Sequence, residues 1–246
     1  MTDAPRLRPV LVTGTSRGLG LAIAERLIAE GGYQVIGASR TLSDDYAALM
    51  ERAGGAAEHH AFDVGETAAI PGLVREVTRA HGPLWGLVNN AGIGADGVLA
   101  TQHQSDIERV IRVNLTGAIV LAKYACRGML ARRGGRIVNV SSIIASTGFH
   151  GLAAYAASKA GLEGFSRSLS REVGKMGITV NCVAPGYMET EMTAGLDAHK
   201  MASIRRRAPL GLPEPADAAG AVAYLLGPDG ARVTGTVLTV DGGSTA

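Results

Sequence analysis

The sequence predicts an α/β protein built on one doubly wound parallel sheet, and three observations carry that expectation. Short runs of Val, Ile and Leu recur without polar alternation, as strands covered on both faces require. Segments of helical periodicity separate them, and a repeated strand–helix order builds a parallel sheet. The third is Thr13-Gly14-Thr15-Ser16-Arg17-Gly18-Leu19-Gly20, set between the apolar Val10-Leu11-Val12 and the helix-periodic residues 21–28. A strand, a glycine-rich turn and a helix in that order make a phosphate cradle. Glycines let the backbone approach a pyrophosphate, and the free N–H groups of the helix start point at the anion.

About seven strands are expected, at 9–13, 34–38, 57–62, 84–89, 136–141, 179–184 and 236–240, with helices at 19–30, 44–53, 66–80, 105–129 and 153–175 between them. No linker or shift of composition divides the chain, so residues 1–246 read as a single domain. Residues 186–215 are the exception, with Pro209, Pro213 and Pro215, the Met188/Met192/Met201 set and Arg205-Arg206-Arg207. They follow a strand whose C-terminal edge faces a ligand, and a substrate lid at about 187–212 is the expectation;.

Composition narrows the function classes. Apolar residues make up 46% and mean hydropathy is +0.16, enough for a sizeable core. Charged residues are 19%, against disorder, and a net charge of +2 argues against a nucleic-acid partner;. Glycine occurs 34 times, about twice ordinary usage, as many tight turns require. Cys126 and Cys182 stand apart without a metal-ligand pattern, and His59-His60 lacks one too, so two reduced thiols and no metal are expected;. No apolar run reaches the ~18 residues of a membrane span. The residues before the first strand are too few for a signal peptide, and a soluble, cytoplasmic protein is expected.

The chemistry concentrates in Tyr155-Ala156-Ala157-Ser158-Lys159, which puts a phenol and an ammonium four residues apart on one helix face;. Upstream, Ser141-Ser142 ends a strand. Asn114 sits inside an otherwise apolar helix, where Asn is a mediocre former and invites a reason;.

Taken together, TGTSRGLG at 13–20, FDV at 62–64, NNAG at 89–92, Asn114, VSS ending at Ser142, YAASK at 155–159 and PGYMET at 185–190 resemble the short-chain dehydrogenases/reductases over nearly the whole chain. Within that family, ITVNCVAPGYMETEMT and the closing TGTVLTVDGG are most similar to the 3-oxoacyl-(acyl-carrier-protein) reductases. The resemblance implies a Rossmann-type fold, a homotetramer built from helices 105–129 and 153–175 and the last strand, and reduction of a ketone carbonyl. A 3-oxoacyl thioester is the leading substrate. Another small ketone, a sugar or a cyclic alcohol is the enzymatic alternative, and a non-catalytic dinucleotide sensor the remote one.

The resemblance also implies roles. Tyr155 would be the general acid, and lowering its pKa from ~10 toward about 7 would fall largely to Lys159. Lys159 would also hold the nicotinamide ribose. Ser142 would hold the substrate oxygen and stabilise developing charge. Asn114 would position a water linking Lys159 to solvent. Gly14, Ser16, Arg17, Gly18, Leu19 and Gly20 would cradle the pyrophosphate. Asp63 and Val64 would meet the adenine, Asn90 and Gly92 would line the adenosine side, and Thr190 would reach the nicotinamide amide, with Pro185 and Gly186 also on the cofactor. Charge argues for NADP(H): the second strand ends Ala38-Ser39-Arg40 with no acid until Asp44, and Arg17 approaches the same ribose;. Carrier-dependent relatives show basic residues beside the active-site entrance. Arg133 matches one such position, whereas Met176 stands at the other, with Lys175 beside it. Trp85, in place of an acid or small polar residue before NNAG, reads as packing.

Overall fold

The computed structural model describes residues 7–189 and 198–246. Seven strands form one parallel sheet in the order β3-β2-β1-β4-β5-β6-β7. They are β1 (Arg8–Thr13), β2 (Tyr33–Ser39), β3 (Ala57–Ala61), β4 (Gly86–Asn89), β5 (Gly135–Val140), β6 (Ile178–Pro185) and β7 (Val237–Val240). The chain winds outward from β1 to β3, then returns to lay β4 on the other side of β1. A crevice opens at such a reversal, outside the carboxyl ends of the strands.

The helices are α1 (Gly18–Glu30), α2 (Asp44–Arg52), α3 (Ile70–His81), α4 (Gln104–Ile111), α5 (Ala118–Arg132), α6 (Ile144–Thr147), α7 (Ala153–Val173), α8 (Ala198–Arg207) and α9 (Pro215–Leu226). Alternation along β1 divides the core between the two faces of the sheet. Val10 and Val12 pack with Ile23, Ala24 and Leu27 of α1 and Val222 of α9. Leu11 packs with Val74 and Val77 of α3 and Leu121 and Met129 of α5. Each such fully buried aliphatic side chain contributes about 1.5–3 kcal/mol.

Boundaries depart from expectation in three places. The 105–129 helix is not uniform: residues Arg112–Gly117 form a π-helical stretch between α4 and α5. At Gly117 a Cβ would lie 2.4 Å from Val64 Cγ1, so the helix approaches the loop after β3 more closely than a side chain permits. The 66–80 helix begins only at Ile70, after turns between Asp63 and Ala69. Helix α9 carried no clear periodic signal because alanine fills it, yet it packs along α1.

The N-terminal edge of the sheet is closed by large side chains. Trp85 has the guanidinium carbons of Arg8, Arg136 and Arg132 at 4.8, 4.9 and 5.1 Å from its ring centre. Such contacts are worth about 0.5–1 kcal/mol each where exposed and more where desolvated. Burial, then the charge of Arg8, pushes Arg132 and Arg136 below the usual guanidinium range. Trp85 is therefore packing, as expected, but packing against cations. Among the described residues no helix is long and apolar enough to cross a membrane.

Candidate active site

β1 ends at Thr13, and the chain turns through Gly14 at φ +74° into α1, which opens at Gly18 with φ +56°. At Gly20 a Cβ would stand 2.0 Å from the Gly14 carbonyl oxygen, so strand and helix meet at a distance only glycine allows. No side chain caps α1 and no acid lies in its first turn, which leaves its leading amides and positive dipole end to an anion;. The NNAG segment secures this turn. Thr13 Oγ1 accepts from the Asn90 and Ala91 amides at 3.0 and 2.9 Å, and Asn90 Nδ2 donates to the Thr13 carbonyl at 2.9 Å.

A cleft of about 1290 Å³ runs from this turn across the carboxyl ends of the strands. The predicted residues of the glycine turn line it, as do Ser39, Arg40, Asp63, Val64, Asn90, Gly92, Pro185 and Gly186. Thr190 lies outside the described residues. Two of these side chains also bond within the chain. Ser39 Oγ is engaged by the Thr41 carbonyl at 3.0 Å and by His59 Nε2 at 2.9 Å, so Ser39 meets the cleft chiefly as backbone. Asp63 Oδ1 accepts from the Gly65 amide at 2.8 Å and shapes its own turn. Asp45, in the first turn of α2, also lines the cleft and is not among the predicted residues.

The reacting groups gather where β5, β6 and α7 meet. Ser142, Tyr155 and Lys159 all line the cleft, and Lys159 Nζ lies 5.7 Å from the Tyr155 ring centre. Burial raises the pKa of Tyr155 against the pull of the hydrogen-bonded Ser142 hydroxyl. Burial also lowers Lys159 to about 8, and its ammonium donates to the Val140 carbonyl at 2.7 Å. On Tyr155 the burial outweighs the Ser142 hydrogen bond;.

Asn114 is buried in the π-helical stretch, away from the cleft wall. Its Oδ1 accepts from the Ile93 amide at 2.8 Å, and its Nδ2 donates to the Ile93 carbonyl at 2.9 Å and to Ser158 Oγ at 3.1 Å. The amide thus pairs with the backbone after β4 as a neighbouring strand would. Beside it, the point where a Gly92 side chain would begin lies 3.4 Å from Asn114 Oδ1 and 3.5 Å from Lys159 Nζ.

The glycine cradle, the open amides of α1 and the paired tyrosine and lysine at the far end of one cleft suit a nicotinamide dinucleotide. The sequence matches the short chain dehydrogenase family across residues 8–201. The chain belongs to that family. It is 41% identical over 234 residues to the 3-oxoacyl-[acyl-carrier-protein] reductase FabG of Vibrio cholerae serotype O1, covering 95% of both chains. The same figures hold for FabG of Escherichia coli strain K12. The 3-oxoacyl-[acyl-carrier-protein] reductase MabA of Mycobacterium bovis is 39% identical over 240 residues, which is 96% of this chain and 92% of MabA. As a short-chain dehydrogenase the protein is an oxidoreductase acting on CH–OH and C=O groups with a nicotinamide dinucleotide.

One expectation of the family resemblance is displaced. Arg133 and Met176 are neighbours, with Arg133 Nη1 at 3.7 Å from Met176 Sδ, but they are not beside the entrance of their own cleft. Arg133 precedes β5, whereas Ser142 follows it, and six strand residues separate the two by about 20 Å.

Proposed function

We propose that the protein is a cytoplasmic, NADPH-dependent reductase of 3-oxoacyl thioesters, working as a homotetramer on substrates borne by an acyl carrier protein. The observation that carries it is the cleft itself, with the glycine turn at one end and Ser142, Tyr155 and Lys159 at the other, in a chain about as long as FabG and 41% identical to it. The cofactor, when bound, supplies hydride to the carbonyl carbon. The amides of residues 16–20 would hold its diphosphate, and Arg17, Arg40 and Val64 would hold its adenosine end;. Arg17 and Arg40 both line that end of the cleft, and their guanidiniums favour the 2′-phosphate;.

Burial keeps Tyr155 protonated, the state a proton donor needs;. Ser142 holds the carbonyl oxygen within reach of that proton and stabilises the charge that develops on it. The Lys159 ammonium, 5.7 Å from the Tyr155 ring centre, would hold the ribose. Asn114 Oδ1 and Lys159 Nζ both lie close to Gly92, in keeping with the family's water between them that would link Lys159 to solvent. At the substrate end the cleft lining includes Val98, Phe149, Leu152, Met188 and Ile204, which suit an acyl chain. Tyr187, Met188, Ile204 and Arg207 line the cleft from the 187–212 segment, which supports the lid; residues 190–197 lie outside the described residues.

Carrier docking at Arg133 calls for a second subunit. Helix α7 has 21 residues and spans about 31 Å. Two copies packed antiparallel would bring Lys175 of one toward the Tyr155 end of the other. Met176 in place of a cation favours a second reading, in which thioesters of coenzyme A or free ketones are the substrates.

NADPH oxidation with acetoacetyl-carrier protein, acetoacetyl-coenzyme A and simple ketones separates these readings. In Tyr155→Phe, kcat falls roughly 10²–10⁴-fold while NADPH affinity holds; retained turnover would move the acid elsewhere. Arg40→Glu weakens NADPH about ten-fold or more, in keeping with a charged hydrogen bond, and leaves NADH unchanged. Equal weakening of both cofactors would remove Arg40 from the 2′-phosphate.

A further inference from the structure

Three successive residues at the end of β5 are fastened to α7, the first by Asn139 Nδ2 donating to Ser166 Oγ at 2.7 Å. Lys159 Nζ holds the Val140 carbonyl at 2.7 Å. One residue on, Ser141 Oγ donates to Glu163 Oε1, also at 2.7 Å. Ser141 Oγ is turned onto α7, where Glu163 and the Lys159 carbonyl meet it, while the Ser142 hydroxyl reaches Tyr155. Glu163 stands one helical turn after Lys159, on the same face of α7. Its side chain is only 13% exposed, with Arg167 Nη1 at 3.7 Å from the other oxygen. The carboxylate therefore bridges a buried hydroxyl and a guanidinium at the surface.

We propose that Glu163 is a positioning residue for the carbonyl reduction, holding Ser141 so that the adjoining Ser142 hydroxyl stays on Tyr155. This rests on the reductase reading above. Ser141 is fully enclosed, and its hydroxyl needs an acceptor;. The one other acceptor near it, the Lys159 carbonyl at 3.5 Å, is at the limit of a hydrogen bond;. Without Glu163 the hydroxyl reaches that carbonyl only by drawing the strand end toward the helix, which shifts Ser142. Misplacement of a reacting group by about 1 Å costs up to 10²-fold in rate. The bond is charge-assisted, which makes it one of the stronger contacts available to fix a loop.

The test compares Glu163→Leu, Glu163→Gln, Ser141→Ala and the Glu163→Leu/Ser141→Ala double variant. Glu163→Leu loses kcat about ten-fold, while KM and NADPH affinity stay within about two-fold. Glu163→Gln keeps an acceptor oxygen and keeps kcat. Ser141→Ala falls as far as Glu163→Leu, and the double variant falls no further, because one interaction has been removed twice. Wild-type kcat in Glu163→Leu overturns the proposal. So does a Glu163→Gln variant as impaired as Glu163→Leu, or a parallel loss of NADPH binding. Amide hydrogen exchange across residues 140–144 gives a readout that needs no substrate. It quickens in Glu163→Leu and returns to the wild-type rate in Glu163→Gln; equal rates in all variants overturn the fastening. A wild-type protein that reduces none of the carbonyls sinks the reductase reading, and the exchange data still decide the role of Glu163 in holding the strand end.

Discussion

At the carboxyl edge of the sheet the strands finish in glycine turns, serines and asparagines. At the amino edge they start from tryptophan, tyrosine and arginine. The first edge is open, with backbone amides left for a ligand and hydroxyls poised over a cleft. The second is filled, with Trp85 surrounded by Arg8, Arg132 and Arg136. The difference follows from parallel topology. All strands end on one side, so everything that must converge on a substrate converges there, and the opposite edge is left to hold the sheet together.

Substitutions at matched positions sharpen the contrast. The largest effect is expected at Gly20→Ala, whose Cβ would meet the Gly14 carbonyl oxygen at 2.0 Å and the hydrogen-bonded Asn90 Nδ2 at 2.6 Å. Nothing there yields, so cofactor titration finds binding lost, with a stability cost of about 1–3 kcal/mol or more. Gly135→Ala at the other edge meets the Met129 side chain at 2.6 Å. A methionine moves aside at a cost nearer 1 kcal/mol, and cofactor affinity is unchanged. Similar losses of binding at both sites would break the division of labour.

Trp85→Leu comes next. Chemical denaturation reads a loss of about 2–3 kcal/mol, while kcat per folded molecule stays at wild type. A selective loss of kcat would tie the amino edge to the chemistry.

The smallest effect concerns pH. Burial lowers Lys159 to about 8 from its ordinary 10.5. Above pH 8 the unfolded chain binds a proton that the folded chain has released, so this group adds stability as pH rises toward 10.5;. Cys126 and Cys182, raised by burial to about 11, act in the opposite sense once unfolded thiols ionise near 9. Between pH 8 and 9, wild type gains about 1 kcal/mol on Lys159→Met, read from the difference in Tm. A difference that does not change across that window refutes the buried ammonium.

What the sequence disclosed and what it hid divide along the same physical line. Val10-Leu11-Val12, the glycine turn and the Tyr155/Lys159 spacing are local patterns, and local geometry turns them directly into a strand, a cradle and a shared helix face. The Ser141–Glu163 bond depends on the register between β5 and α7, across 22 residues, and no periodicity encodes it. His59 claims the Ser39 hydroxyl through the pairing of β2 with β3, and Asn114 spends its amide on Ile93. The entrance position of Arg133 is implied by the family resemblance alone, and which subunit's entrance it adjoins is not encoded in a single chain. Trp85 was read correctly as packing, but its three cationic neighbours come from three separate segments.

That tryptophan is the only one in the chain. Its emission therefore monitors the amino edge, where guanidiniums crowd the indole, and is far from any ligand in the cleft. Fluorescence of a nucleotide bound at the glycine turn monitors the other end of the same strands. Followed together during denaturation, the two signals time the opening of opposite ends of one sheet. A single shared midpoint means the sheet opens as one cooperative unit, whereas an earlier loss of the nucleotide signal means the catalytic edge frays while the arginine-bound edge still stands.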